Sequence, residues 1–204
     1  MMALYSSENC LDCHRVRFIL AEKGINVEII HVEQDRAATA DLAELNPYCE
    51  TPTLVDRDMV LYGTWVVAEY LDERYPHPPL MPIDPVSRSR LRLAMYRVHR
   101  DWVQAGETLE KSTGEKKIAA TRKALRDDLI GSDALFGLTP FLLHDELSLA
   151  DCALVPLLWR LPAYQIDLTP KQIPNLTKYM DRMFLRDSFQ RSLTEVERAL
   201  REDD

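Results

Sequence analysis

The sequence has no hydrophobic run long enough to span a bilayer and no excess of positive charge. Its most apolar stretch, residues 153–159, is far shorter than the roughly 20 residues that a membrane helix needs. The 25 basic side chains are outnumbered by 33 acidic ones, which gives a net charge of −8. Binding to nucleic acid or to an anionic membrane surface requires clustered Lys and Arg. We therefore expect neither as a direct partner.

The sequence is also poor in cysteine, with four residues in 204. Its first residues contain neither a basic segment nor a long apolar stretch, so we expect a cytoplasmic protein with mainly reduced cysteines. Cys10 and Cys13 belong to a Cys-x-x-Cys-His motif, which matches c-type haem attachment, but an export signal is missing. Structural zinc requires four ligands, and there is no second cysteine pair. Neither haem nor metal is predicted.

The composition is globular, with 46% hydrophobic and 28% charged residues, but the charge is unevenly distributed. Residues 1–78 contain 6 basic and 14 acidic side chains, whereas residues 79–204 contain 19 of each. Five prolines fall within residues 76–85, where a helix cannot persist. We predict a first domain over residues 1–78, a proline-rich linker over 79–86 and a second domain over 87–204.

The pattern of apolar residues predicts an α/β first domain and an all-helical second domain. The first reads β-α-β-α-β-β-α, which fits a parallel βαβ unit followed by an antiparallel hairpin. Its first helix is expected to hold its charged side chains outside, namely Arg15, Arg17, Glu22 and Lys23. In the second domain one apolar stripe is formed by Leu91, Met95, Val98 and Trp102. Further helices are predicted over 116–130, 149–161, 173–185 and 189–201, with Ser148 and Asp151 as a capping box and a kink at Pro156.

Two features of the first domain indicate a reactive or ligand-binding site. Cys10 and Cys13 lie where a strand leads into a helix, and a helix N-terminus lowers the pKa of a cysteine, which favours redox or thiol-transfer activity. The alternative is two cysteines without a chemical role. Pro52 directly precedes a strand and is a candidate for a cis peptide bond that exposes the backbone of Thr51 to a peptide-like ligand. An ordinary trans loop proline is the alternative.

Two charged or rigid surfaces indicate partners. Pro76, His77 and Pro78 form either a docking ridge with an imidazole or simply a stiff linker. The arginines after the linker, including Arg88 and Arg92, form either a solvated face or a dimer contact. In a dimer they would pair across a two-fold axis with three acidic residues of the preceding helix, Glu69, Asp72 and Glu73.

Together these features resemble the glutathione transferase fold, with a thioredoxin-like N-terminal domain and a helical bundle. The likeness covers nearly the whole chain. It is carried by Val16-Arg17, Lys23-Gly24, Asn46-Pro47, Thr51-Pro52-Thr53-Leu54, Glu69-Tyr70-Leu71 and Ser148-Leu149-Ala150-Asp151.

Residues 70–82, and the shorter segments 20–24, 52–57 and 156–162, closely resemble the bacterial stringent starvation protein A family. This resemblance implies a cytoplasmic homodimer that binds RNA polymerase holoenzyme and alters promoter use under stress without being a transferase. It assigns the transcriptional role to Pro76, His77 and Pro78. Because the chain is acidic, we expect contact with a basic surface of the polymerase or of a sigma factor.

The resemblance also allows the glutathione pocket to be compared. Transferases commonly place Glu-Ser after the fourth strand, where this chain has Gly63 and Thr64. The missing carboxylate removes a charge-assisted hydrogen bond worth roughly 1.5–3 kcal/mol. Thr51 and Pro52 keep their places, and Cys10 lies where cysteine-type relatives keep their nucleophile. We expect no required cofactor, weakened glutathione binding, and glutathione-dependent thiol transfer at Cys10 as the alternative function.

Overall fold

The computed structural model describes residues 2–33 and 36–201, which fall into two compact units. One unit takes in the described residues up to Pro78 together with Asp187–Ala199, and the other begins at Pro79, runs to Arg186 and resumes at Leu200. The division after Pro78 coincides with the change in charge balance. The segment 187–199 differs from the expectation that residues 87–204 form one domain, because it packs on the first unit.

The first unit is built on a four-stranded mixed sheet. Its strands are β1 (Met2–Ser6), β2 (Glu28–His31), β3 (Thr53–Asp56) and β4 (Met59–Tyr62). Strand β1 is parallel to β2 and antiparallel to β3, and β3 is antiparallel to β4, in the order β2-β1-β3-β4. Leu4 pairs with Leu54 at the centre of the sheet, and both are fully buried.

Helices of the first unit follow the predicted order. They are α1 (Leu11–Glu22), α2 (Arg36–Leu45) and α3 (Thr64–Arg74). The fully buried Val16 and Leu71 come from α1 and α3. The predicted β-α-β-α-β-β-α order is therefore confirmed.

The second unit is helical throughout its regular structure. Its helices are α4 (Pro85–Val98), a π-helical turn (His99–Val103), α5 (Gln104–Lys111), α6 (Glu115–Gly131), a 3₁₀ turn (Asp133–Gly137), α7 (Leu149–Trp159) and α8 (Pro174–Phe184). Every residue of α7 is buried, and its capping box between Ser148 and Asp151 is present as predicted. The apolar stripe that starts at Leu91 is buried as well. Helix α5 was not predicted.

The single helix expected over residues 189–201 is instead two short helices, α9 (Asp187–Ser192) and α10 (Glu195–Ala199). Thr194 separates them because its hydroxyl accepts a hydrogen bond from the amide of Glu197 at 3.1 Å, as an N-cap does. The expectation of one helix was wrong for that reason. Among the described helices, none combines the length and the apolar character that a membrane crossing requires.

Candidate functional site

The two thiols of the Cys-x-x-Cys motif meet at the start of α1. Cys10 is the N-cap, with an extended backbone, and its sulfur accepts a hydrogen bond from the amide of Cys13 at 3.3 Å. The sulfur of Cys13 accepts another from the amide of Ser7 at 3.3 Å. Cys10 is half-buried, whereas Cys13 has no exposed surface. The motif therefore presents one accessible thiol in front of one enclosed thiol.

The pKa values of the two thiols are shifted in opposite directions. Burial works against ionisation of Cys13, but hydrogen bonds from Cys10, Thr51 and Ser7 and the charge of Arg17 outweigh it and lower its pKa to about 7. For Cys10, the hydrogen bond to Cys13 and then burial raise the pKa. The lowered pKa expected at this helix N-terminus therefore belongs to the third residue of α1 and not to the N-cap.

The turn before β3 lies beside this thiol pair. The Thr51-Pro52 peptide bond is cis, as predicted, and the hydroxyls of Thr51 and Ser7 are 3.0 Å apart. The fully buried Asn46 holds the turn from behind, because its amide donates to the carbonyl of Glu50 and to the hydroxyl of Thr53. The sequence indicates Asn46 only through the family resemblance. Its role depends on partners four and seven residues away.

The structure places Gly63 and Thr64 at the beginning of α3. Gly63 is the N-cap with φ of +83°, a left-handed conformation that favours glycine, and it provides no side-chain cap. The first turn of α3, which is described in full, contains no acidic residue. No carboxylate therefore stands at the position where the transferase pattern places one.

The Pro76-His77-Pro78 segment is exposed but firmly held at both ends. The ammonium group of Lys23 donates to the carbonyl of Tyr75 at 2.7 Å and to that of Pro78 at 2.8 Å. It also pairs with Asp72 at 2.7 Å, and none of the Lys23 side chain is exposed. The His77-Pro78 bond is cis, a feature that the sequence analysis did not predict. Lys23 thus fixes the segment on either side of Pro76 and His77.

Three basic residues in α1 or directly after it differ from the expectation drawn from the sequence. Arg15, Arg17 and Lys23 were expected outside and are all buried. Arg15 pairs with Asp12 at 2.6 Å and lies over the ring of Trp65. Their partners lie elsewhere in the chain or, for Arg15, one turn earlier in the helix, which the periodicity of the apolar residues does not reveal.

Arg17 connects α1 to the C-terminal segment. Its guanidinium donates to both carboxylate oxygens of Glu197 at 2.7 Å and to the carbonyl of Ser192 at 3.0 Å. It also donates to the hydroxyl of Ser6 at 2.6 Å. Glu197 has no exposed surface. This network explains why residues 187–199 belong to the first unit.

The acidic and basic residues proposed for a dimer contact differ in their surroundings. Asp72 is buried and pairs with Lys23, so its carboxylate already has a partner within the chain. Glu73 and Arg92 are exposed, whereas Glu69 and Arg88 are half-buried. Over residues 2–33 and 36–201, no group of three His, Cys, Asp or Glu side chains is arranged to hold a metal ion.

Comparison with known protein families identifies both glutathione S-transferase domains in this chain. Residues 9–74 match the family model of the glutathione S-transferase N-terminal domain, and residues 97–187 match that of the C-terminal domain. A solved glutathione S-transferase from Methylobacillus flagellatus with glutathione bound superposes with a TM-score of 0.81 at 26% identity, over 95% of this chain and 99% of that one.

Curated relatives narrow the match. The chain is 45% identical to a stringent starvation protein A homolog of Coxiella burnetii, over 100% of this chain and 97% of the relative. It is 42% identical to the homolog of Haemophilus influenzae, over 96% of this chain and 92% of the relative. The chain therefore belongs to the stringent starvation protein A family, built on the glutathione S-transferase fold.

Proposed function

We propose that the protein is a cytoplasmic, RNA polymerase-associated regulator of transcription in the stress and starvation response, and that it acts by protein contact rather than by catalysis. Family membership supports this function. The observation that carries it is the exposed Pro76-His77-Pro78 segment, with Lys23 bound to the carbonyls that flank it.

This segment has the properties of a preformed docking element. Proline restricts the backbone before any partner arrives, and the contacts of Lys23 fix the carbonyls of Tyr75 and Pro78. Less conformational entropy is therefore lost on binding. His77 remains exposed between these fixed points and is the polar group offered to the polymerase.

Charge supports a basic partner surface. Residues 1–78, which contain the docking segment, hold 6 basic and 14 acidic side chains. A negative surface of this kind accelerates association with a positive one and is weakened by salt. We assign the contact to a basic face of RNA polymerase holoenzyme or of its sigma factor, with no direct contact to DNA.

The polymerase contact is tested by co-purification. Immobilised wild-type protein should retain RNA polymerase from its own cytoplasm, and His77→Ala should retain much less. Lys116→Ala is a suitable control because it removes an exposed side chain of α6, outside the docking segment, and should leave retention unchanged. Failure of the wild-type protein to retain polymerase would reject the function.

We also propose a homodimer, as the family resemblance implies, with Glu69 and Glu73 of one copy near Arg88 and Arg92 of the other. Sedimentation analysis should give twice the chain mass, and the dimer should dissociate more readily in high salt. A monomer at all protein concentrations would reject the dimer. A dimer insensitive to both salt and Arg92→Gln would reject these contacts.

Glutathione-dependent thiol transfer at Cys10 is the second candidate. The accessible thiol beside Thr51 and cis-Pro52 favours it, whereas Gly63 in place of a carboxylate opposes it. This candidate is tested by calorimetric titration with glutathione, followed by a thiol-transfer assay on the wild-type protein and on Cys10→Ser. Absence of binding at millimolar glutathione removes this candidate.

A further inference from the structure

The Cys10–Cys13 pair has a network of hydrogen bonds to its sulfurs that polymerase binding does not require. The two sulfurs are bridged by a hydrogen bond, and each also accepts one from a backbone amide, that of Cys13 or that of Ser7. This arrangement stabilises negative charge on sulfur, and the nearby Arg17 adds to it.

We propose that Cys10 and Cys13 form a reversible intramolecular disulfide by exchange with small disulfides, in which Cys10 takes the incoming group and Cys13 displaces it. This activity goes beyond polymerase binding and does not depend on it. It also requires no glutathione pocket, since the reacting atoms are sulfurs alone.

Solvent exposure determines which of the two thiols reacts first with the external disulfide. Cys13 has no exposed surface and cannot reach an external disulfide, whereas Cys10 is half-buried and is the accessible one. With its pKa lowered to about 7, Cys13 is about half thiolate in neutral solution. It therefore serves as the internal nucleophile that displaces the group held by Cys10.

The exchange balances in two steps. The Cys10 sulfur attacks one sulfur of the small disulfide; the external S–S bond breaks, and the proton of the Cys10 thiol passes to the thiolate that is released. The Cys13 sulfur then attacks the sulfur of Cys10, the mixed disulfide breaks, and a second thiol leaves with a proton. The cysteine pair is oxidised by two electrons, and the small disulfide is reduced to two thiols.

The position of the motif permits this bond. A side chain at the N-cap lies over the third residue of the helix, as the 3.3 Å contact from the amide of Cys13 to the sulfur of Cys10 shows. The other two cysteines provide internal comparisons, because Cys49 is exposed and Cys152 is buried within α7. Cys49 reports the reactivity of an ordinary surface thiol.

The test uses 2-hydroxyethyl disulfide, which lacks every group that a glutathione pocket recognises, on a chain carrying Cys49→Ser and Cys152→Ser. Intact mass should fall by two hydrogens, and dithiothreitol should restore it. Adding Cys13→Ser should stop the reaction at a mixed disulfide on Cys10, whereas adding Cys10→Ser should leave Cys13 unmodified.

Several results would overturn the proposal. These are a stable mixed disulfide on Cys10 when Cys13 is present, modification of Cys13 when Cys10 is replaced by serine, or disulfide formation only in urea. Cys13→Ala, with circular dichroism of every variant, replaces Cys13→Ser if the serine disturbs folding. The loss of two hydrogens from the chain that retains both Cys10 and Cys13 tests disulfide formation even if neither Cys13 variant folds.

Discussion

At the scale of single residues, the acidity of the thiols depends in part on contacts that the motif does not contain. The Cys-x-x-Cys spacing predicts a helix N-terminus with a reactive sulfur. The lowered pKa of Cys13 comes first from the hydrogen bond with Cys10, within the motif, and then from Thr51, 38 positions after Cys13, and from Ser7, before the motif. Assigning the lowered pKa to Cys13 therefore required the folded structure.

The thiolate at Cys13 predicts a titration near neutrality. In a chain with Cys49→Ser and Cys152→Ser, ultraviolet thiolate absorbance should rise with a midpoint close to the lowered pKa of about 7. Thr51→Val should shift the midpoint upward, because it removes one donor to the thiolate. A midpoint near the ordinary thiol value of 9.0, or a midpoint unaffected by Thr51→Val, would contradict the assignment.

The same pKa links stability to pH. Because the folded value lies below the unfolded one, the stabilisation is fully present above the unfolded pKa and is lost as pH falls through the folded one. Between pH 9 and pH 7, the free energy of unfolding should therefore decline more in the wild-type chain than in Cys13→Ser. Equal slopes in urea denaturation would show that Cys13 does not titrate in this range.

Lys23 offers a second prediction for a single side chain. Lys23→Met removes the ammonium group that pairs with the buried Asp72 and frees the carbonyls on both sides of Pro76 and His77, at a cost of roughly 3–5 kcal/mol. Urea denaturation should show this loss, with the exposed Lys116→Met as the control. At a temperature where the variant is folded, polymerase retention should also fall. Unchanged retention would show that the docking segment does not need this anchor.

At the scale of helices and strands, sequence patterns predicted the features that depend on contacts between residues close together in the chain. The apolar stripe from Leu91 and the capping box of Ser148 and Asp151 depend on neighbours within a few turns, and both were confirmed. The break at Thr194 and the burial of Arg17 were missed. Arg17 depends on Glu197, which lies 180 positions further along the chain, and a charged side chain by itself indicates solvent.

The buried pair predicts that the C-terminal segment is essential to the first unit. Glu197→Gln leaves the Arg17 charge buried with a weaker partner and should destabilise the protein by about 3 kcal/mol in urea denaturation. Glu195→Gln, two positions earlier and exposed, makes the same chemical change and should cost less than about 0.5 kcal/mol. Equal effects of the two variants would show that the network does not hold the segment in place.

At the scale of the whole molecule, the charge balance and the proline content both change near Pro78. The excess of acidic side chains lies in residues 1–78, and the first unit also ends its first segment at Pro78. Composition cannot show that residues 187–199 return to that unit, because the contact is made by a few specific side chains.

The charge distribution predicts a salt-sensitive complex. Raising ionic strength shortens the range over which residues 1–78 attract a basic surface, so polymerase retention should weaken progressively. Binding assays at increasing salt, with the stability of the free protein measured in parallel, separate this effect from unfolding. Retention that is independent of salt would contradict the electrostatic part of the function.

The central claim is most directly tested by measuring the affinity of purified RNA polymerase holoenzyme for the wild-type protein and for His77→Ala. His77 is exposed, so its removal should leave the thermal unfolding midpoint nearly unchanged. The account predicts specific binding by the wild-type protein and at least a tenfold loss in the variant, equivalent to about 1.4 kcal/mol. Equal affinities, or no binding by either protein, would contradict it.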